Sequence, residues 1–483
     1  GGISAMAAGN DGTLFIAFAG SENDIPVGQG FALTSNASAF NASDSTINWT
    51  YFNQQIENND KPYFEFWAYK SEALPITVPH QNVTYDIALS HLDEDTSYAF
   101  TASWAGGLRR LKFKNEYNSN GDIIGIIPIK WERVPIPMDN QFKLNTCELT
   151  SYDTVPDPYD PPNEMLILKD YYFNPRDPID GGNHNHKAFS ILTYGDTIWV
   201  GTANGINRGI FGGYSQTFGY CINWEHYSYP EYNLSGNFVV GLALQMHKGK
   251  RVIWAATVNA DDPTEQRGVS YTTNDGLSWN TALLGERVYN ITAEDSLVFA
   301  ATANGLWMTE DGINWAKYKP AQQHTPYSTD EILANEVYSV AFDTSDTSIW
   351  IGTGDGVAHS YDLDGLDWKI FRAEYDIDED YAYPNPFSPY THNVLGGDGY
   401  VRFHTNEWSG SSEIKLDVYN FAMEKVFAGS FDRTATSSGA LKWNGRDMEG
   451  RLVNNGVYFV KLTYPEGYNI KPSPHWVKLI VVK

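Results

Sequence analysis

The sequence predicts an all-β chain: a β-propeller of six recognisable four-stranded blades, with room for a seventh, followed by a small β-sandwich. Three observations carry this. First, one phrase recurs. "FAATANGLWMTEDGINW" (299–315) is echoed by "WVGTANGI" at Trp199–Ile206 and "WIGTGDGVA" at Trp350–Ala358. A chain of stacked copies repeats itself in this way, and units of about 40–50 residues with four short strands are propeller blades. Second, Tyr, Phe and Trp make up 14% of the 483 residues, a composition suited to half-buried pleated surfaces. Third, the phrase stops near residue 372, and the rest of the chain alternates apolar and polar residues between turn signals.

Within each unit the elements follow in order. The first strands are "ISAMAAG", "YDIALSH", "FSILTYG", "VVGLALQ", "YNITAED" and "YSVAFDT". The second are "LFIAFAG", "YAFTASWAGG", "IWVGTANG", "IWAATVN", "VFAATANG" and "IWIGTGDG". Small residues such as Gly201, Ala301 and Gly352 fall in second strands, where a crowded axis demands close approach. Gly205, Gly305 and Gly356 sit where a tight turn needs positive φ. The fourth strand of each unit carries one of six aligned tryptophans: Trp49, Trp131, Trp224, Trp279, Trp315 and Trp368. Their recurrence at one repeat position marks them as structural, aimed between blades. A seventh blade would lie upstream of Gly1 or within residues 136–186.

Around three of these tryptophans the sequence resembles the Asp-box of sialidases, sortilin-type receptors and several glycosidases. The segments are "TTNDGLSW", "MTEDGINW" and "YDLDGLDW". Counted back from tryptophan, the Asp position holds Asn274, Glu310 and Leu363, and glycine is kept as Gly276, Gly312 and Gly365. The resemblance implies a structural turn between third and fourth strands, away from the functional face.

A second resemblance begins at "YAYPNPFSPYTHN" and runs through "EIKLDVYNFAMEKVFAG" and "LKWNGRDMEGRLVNNGVYFVKLTY" to the terminal "VKLIVVK". It rests on Pro384, Asn385, Pro386, Phe387, Val418, Tyr419, Trp443, Gly445, Asp447, Gly450, Gly456, Val457, Tyr458 and Lys483. These are similar to the FlgD-type immunoglobulin-like domain that serves as a sorting module in type IX secretion. Independently of that family, "EIKLDVYNF" sets Ile414, Leu416 and Val418 against Lys415, Asp417 and Tyr419, as a strand buried on one side should. The expected domains are a propeller over 1–372, a linker and approach over 373–390, and a sandwich over 391–483. The resemblance implies export by a Bacteroidetes-like bacterium to its surface or medium, with the secretion machinery as a partner.

The formal charge of −26 argues against nucleic acid and anionic membranes as partners of the whole chain. It reads as spread along the chain. No run of 18 apolar residues marks a membrane span. The chain opens "GGISAMAAGN", without a basic n-region or apolar h-region. Either a targeting segment has been removed or the chain begins part-way through a longer product. Cys147 and Cys221 fit no metal or haem pattern, and a single disulfide and two buried thiols both fit. No cofactor is expected. Calcium on the acidic "DIDEDYAYPNP" stretch has no EF-hand spacing to support it.

Function is expected where the repeats are interrupted by long connections, Asn53 to Gln81 and Pro135 to Lys187. The first carries Tyr63, Phe66, Trp67 and Tyr69, aromatic residues able to stack on a glycan or protein partner. The second carries "HNH", whose His184 and His186 would face one way in an extended segment and offer a metal two imidazoles. The second-to-third connections "GSENDIPVGQG" and "TVNADDPTEQRG" also read as long loops. No GxSxG, HExxH or P-loop phrase occurs. The leading reading is a secreted or surface binding or scaffold protein; the alternative is a polysaccharide-active glycosidase of propeller fold.

Overall fold

The computed structural model describes residues 2–9, 12–35, 37, 47–55, 63–66, 69–72, 82–93, 96–119, 123–148, 152–156, 164–168, 184–215, 219–260, 262–318, 321–324, 329–363, 365–372, 380–390, 399–404, 413–432, 441–464 and 474–483. Close contacts divide the chain into two compact units, Gly1–Val288 and Tyr289–Lys483.

The first unit stacks four antiparallel sheets, each built in chain order. Sheet 1 has strands Gly2–Ala8, Leu14–Glu22, Ile25–Thr34 and Thr50–Phe52. Sheet 2 has Thr84–Asp93, Thr96–Ser103, Gly107–Tyr117 and Ile123–Arg133. Sheet 3 has Ala188–Tyr194, Thr197–Thr202, Gly205–Ser215 and Gly219–Tyr227. Sheet 4 has Phe238–His247, Lys250–Val258, Gly268–Thr272 and Asn280–Ala282. First strands of consecutive sheets are neighbours, and apolar layers fill the gaps between sheets. This is the arrangement of propeller blades. It removes the exposed apolar face that each sheet would present alone.

The two long connections of this unit meet. Strands Tyr63–Phe66 and Tyr69–Glu72 from the first join Tyr152–Pro156 and Glu164–Leu168 from the second in one extra sheet, with Ile167 parallel to Lys70. Before that, the second connection lays strand Lys143–Asn145 on the outer edge of sheet 3, against Asn223–Glu225. A disulfide between Cys147 and Cys221 pins it there, with Cα atoms 5.3 Å apart, and so decides between the two states left open by sequence. "GSENDIPVGQG" is not a loop. Its ends extend the second and third strands of sheet 1, and Asn23 and Asp24, at φ 51° and 63°, make the two-residue turn between them.

The second unit holds two more such sheets. Sheet 5 has Val288–Glu294, Leu297–Thr302, Gly305–Thr309 and Ala316–Lys317. Sheet 6 has Val337–Asp343, Ser348–Thr353, Gly356–Ser360 and Lys369–Phe371. Beyond them, a three-stranded sheet (Tyr381–Tyr383, Val401–His404, Lys442–Trp443) and a four-stranded sheet (Lys425–Asp432, Glu413–Tyr419, Gly456–Thr463, His475–Val481) share one core. Ile414, Leu416 and Val418 enter that core with Val460, Leu462 and Trp443, whereas Lys415 faces solvent.

The six tryptophans are not equivalent. Trp131 and Trp224 lie inside fourth strands. Trp49, Trp279, Trp315 and Trp368 immediately precede theirs. Trp224, Trp279 and Trp368 are buried, while Trp49, Trp131 and Trp315 are half-buried. The turns before Trp279, Trp315 and Trp368 share one device, a hydroxyl followed two residues later by an amide or carboxylate. Thr272 Oγ1 donates to Asn274 Oδ1 and accepts from Gly276 N. Thr309 Oγ1 accepts from Asp311 N and Gly312 N, and Asp311 Oδ1 accepts from Ile313 N and Asn314 N. Ser360 Oγ accepts from Asp362 N, and Asp362 Oδ2 from Leu366 N. Counting back from tryptophan therefore misplaced two acids. They are Asp311 and Asp362, not Glu310 and Leu363, because the turns differ in length by one residue each.

Candidate functional site

The site of interest in the first unit grows from a repeated irregularity. In five of the first strands the register slips after the opening residues: between Ile3 and Ala5, Thr84 and Asp86, Ala188 and Ser190, Val239 and Gly241, and Val337 and Ser339. Each slip is a β-bulge, which leaves one residue unpaired and re-aims its side chain. The residues so released are Ser4, Tyr85, Phe189, Val240 and Tyr338.

The residue after the bulge ties neighbouring sheets together. Asp86 Oδ2 accepts from Ile191 N at 2.7 Å, and Ser190 Oγ donates to Val239 O at 3.3 Å. In the second unit, Asn290 Oδ1 accepts from Val340 N at 3.2 Å. Asp86 Oδ1 also accepts from its neighbour Ile87 N. Although part of the residue still touches solvent, desolvation of the carboxyl outweighs both bonds and pushes its pKa up to about 7.

The released aromatics of sheets 2 and 3 meet. Tyr85 and Phe189 rings lie 5.5 Å apart, and the Phe189 ring packs, tilted, 4.4 Å from that of Phe238, which opens the first strand of sheet 4. Trp104 closes the cluster, 5.5 Å from Phe189 and 6.1 Å from Phe238. Tyr85 is 44% exposed, Trp104 and Phe238 are half-buried and Phe189 is buried beneath them.

Trp104 is the exception in a shared turn. In sheets 3, 5 and 6 the second and third strands are joined by Thr-x-x-Gly, in which Thr202, Thr302 and Thr353 donate to the carbonyls of Gly205, Gly305 and Gly356. Those glycines have φ of 95°, 102° and 135°, the left-handed values that the phrase required. The residue after each threonine is Ala203, Ala303 or Gly354. In sheet 2 the turn is one residue longer, "SWAGG", and that place is taken by Trp104.

The "HNH" segment supports this cluster from below. It is not extended but a single 3-10 turn, His184–His186, so the two imidazoles do not face one way. Asp139 caps it, its two oxygens accepting from His184 N and Asn185 N. Asn185 is wholly buried. It donates to Pro137 O, exchanges amide bonds with Asn207 and accepts from Thr202 Oγ1. His186 lies with its Nε2 at 3.1 Å from Ala105 O and its Nδ1 at 3.3 Å from Arg133. Burial holds its pKa well below the usual imidazole value, and the Arg133 charge adds to this. Burial also lowers the nearby Arg109, to about 10. Lys187 then sets its ammonium 5.0 Å over the Trp104 ring, a cation–π contact. Among the described residues no group of three His, Cys, Asp or Glu converges as metal ligands.

The loop chosen from sequence lies elsewhere. Tyr63, Phe66 and Tyr69 fall in the strands of the extra sheet, where Phe66 pairs with Tyr69; Trp67 lies outside the described residues, as do residues 373–379 of the expected linker. "TVNADDPTEQRG" is a loop, held by Glu265, which accepts from Asn237 N and Ala260 N.

No family model and no curated protein matches the chain. Among solved structures it is similar to PorZ of Porphyromonas gingivalis, described as an essential bacterial surface component of the type-IX secretion system. The identity is 16% over 99% of this chain and the TM-score 0.33; the chain spans 59% of that protein's length. It is also similar to the extracellular domain of the hybrid two-component system BT3049 from B. thetaiotaomicron (11%, 99% of this chain, 68% of that one, TM-score 0.29) and to an ancestral GH74 enzyme (12%, 98% and 73%, TM-score 0.26). At such scores the superpositions carry no argument, and the blade arrangement rests on the sheets themselves.

Proposed function

We propose that this chain is a non-catalytic binding protein of the bacterial cell exterior, whose propeller face takes a glycan or a protein partner. The observation that carries the reading is the cluster of Tyr85, Trp104, Phe189 and Phe238. Bulges release two of its rings, Tyr85 and Phe189, and a tryptophan replaces the small residue that sister turns keep. Exposed rings anchored on buried ones are rigid contacts of the kind that dominate recognition surfaces. The hydroxyl-and-acid turns before Trp279, Trp315 and Trp368 are Asp-boxes in this reading, and serve as scaffold. Residues 391–483, after the 373–390 linker and domain entry, act as a FlgD-type immunoglobulin-like sorting module for type IX secretion, with Ala382 and Phe387 of the entry contributing to its core. The Cys147–Cys221 disulfide suits an oxidising exterior.

The test is a glycan array and a surface-protein pull-down with the wild-type chain and with Tyr85→Ala and Trp104→Ala, alongside a reducing-sugar assay. Ligand retained by the wild type should be lost from both variants at unchanged secondary structure. Equal binding by Trp104→Ala removes the site, and release of reducing ends would replace the binding reading with a catalytic one.

A further inference from the structure

The charge is not evenly spread. Residues 391–483 hold 11 Lys and Arg against 9 Asp and Glu, a net +2, while residues 1–390 hold 22 against 50, a net −28. One sheet face in the final module collects much of that positive charge. On the four-stranded sheet, the side of the strands opposite the core presents Lys415, Asp417 and Tyr419, then Phe459 and Lys461, then Trp476 and Lys478. Registry places Tyr419 across from Phe459, Phe459 across from Lys478, and Lys461 between Asp417 and Trp476. Asp417 is already engaged with Lys425, 3.1 Å away, whose ammonium also lies over the Tyr419 ring. The rings form two pairs, Tyr419 with Trp476 at 5.6 Å and Phe421 with Phe459 at 6.4 Å. Phe421 is 77% exposed and Trp476 48%.

We propose that this face binds an anionic polysaccharide, one whose sugar units carry carboxylates. The rings offer apolar platforms to the faces of the sugars. Lys415, Lys461 and Lys478 stand between and beside the rings, where an acidic substituent of a stacked sugar would fall. A flat sheet face suits an extended polymer, since it contacts successive units without a pocket. Charge complementarity selects the acidic polymer over a neutral one, because Asp417 is neutralised by Lys425 and the other acidic register positions of this face, Glu413 and Asp432, pair with each other at the end of the strand away from Tyr419. The strongly acidic remainder of the chain repels the same polymer. This site is separate from the Trp104 cluster and does not depend on it.

The experiment is affinity electrophoresis of the full chain in gels containing polygalacturonate, with neutral dextran as the comparison. Polygalacturonate should retard the wild type and dextran should not, with retardation falling as salt rises. Lys461→Gln with Lys478→Gln should weaken the apparent affinity about tenfold, and Trp476→Ala by a similar factor. All three residues are surface positions, and circular dichroism checks that the variants fold. Tyr51→Ala, an exposed residue of sheet 1 outside both aromatic clusters, should leave retardation unchanged. Equal retardation by both polymers, or none, overturns the proposal, as does full retardation of the lysine double variant. Sedimentation with phosphatidylglycerol vesicles without polygalacturonate binding would assign the face to a membrane instead. Concentration-dependent self-association without polymer binding would assign it to a second copy.

Discussion

Reducing the Cys147–Cys221 disulfide should expose how much of the first unit depends on the long connection after sheet 2. The bond closes a sequence separation of 74 residues. In the chain-entropy treatment, a loop of that size removes about 15 cal/mol/K from the unfolded chain, or ~4 kcal/mol at 25 °C. The bond also holds strand Lys143–Asn145 to the edge of sheet 3, beside a hydrogen bond from Ile222 N to Thr146 Oγ1. Cys221 is wholly buried, so alanine is the suitable replacement at both positions; serine would add a buried hydroxyl at one of them. For a unit of this size, about 2 °C is lost per kcal/mol, so Cys147→Ala with Cys221→Ala should lower the first calorimetric transition by roughly 8 °C. Wild-type protein scanned in reductant should show the same shift, and the double variant should not respond to reductant. A wild-type transition indifferent to reductant, with thiol titration proving the bond open, would refute the argument. It would mean that the edge strand and its neighbours hold the connection without the cross-link.

Two further outcomes follow from burial and charge. Trp224→Ala should cost about 3–5 kcal/mol in urea unfolding, the range for a deleted core aromatic, and Trp315→Ala clearly less, because Trp224 is 2% exposed whereas Trp315 is only half-buried; equal losses would show that repeat position, not burial, sets the cost. Asp86 has a raised pKa, so its contribution is complete below the unfolded value near 3.8 and is lost as pH rises through about 7; Asp86→Asn, which places at this position the residue found as Asn290, should remove the fall in unfolding midpoint between about pH 4 and 7, and a variant with the wild-type slope would place that titration elsewhere.

The strands were legible because each first and second strand is a short apolar run punctuated by glycine or a polar turn, and the paired backbone follows those runs closely. What misled was the use of tryptophan as the ruler. The hydroxyl and the amide or carboxylate that build the turn sit two residues apart in all three copies, Thr272 with Asn274, Thr309 with Asp311 and Ser360 with Asp362. The distance from that pair to tryptophan varies. A hydrogen-bonded turn fixes its own local spacing, whereas the return to the sheet tolerates one residue more or less. Aligning on the local pair rather than the distant ring would have recovered both acids. The "HNH" reading failed for a related reason. Spacing alone does not say whether a segment is extended, and here Asp139, 45 residues away, caps it into a turn.

The aromatic cluster proposed as the binding face was not among the sequence-based candidates for a different reason, and the signal for it was present. Long loops drew attention because insertions often carry function, yet two rings of the aromatic cluster occupy a bulge position found in five of the six sheets. A bulge at the start of a first strand releases one side chain from the ladder wherever it occurs. In sheet 1 that side chain is Ser4 and in sheet 4 Val240, neither of which projects a ring. In sheets 2 and 3 it is Tyr85 and Phe189, and these are the sheets whose seam also receives Trp104. The scaffold thus supplies equivalent bulge positions in five of its sheets, and in the proposed reading specificity comes from which of them carry aromatic rings. A repeat sequence read column by column, for the residue that departs from its sisters at a fixed backbone position, points to Trp104 against Ala203, Ala303 and Gly354 before any loop is considered.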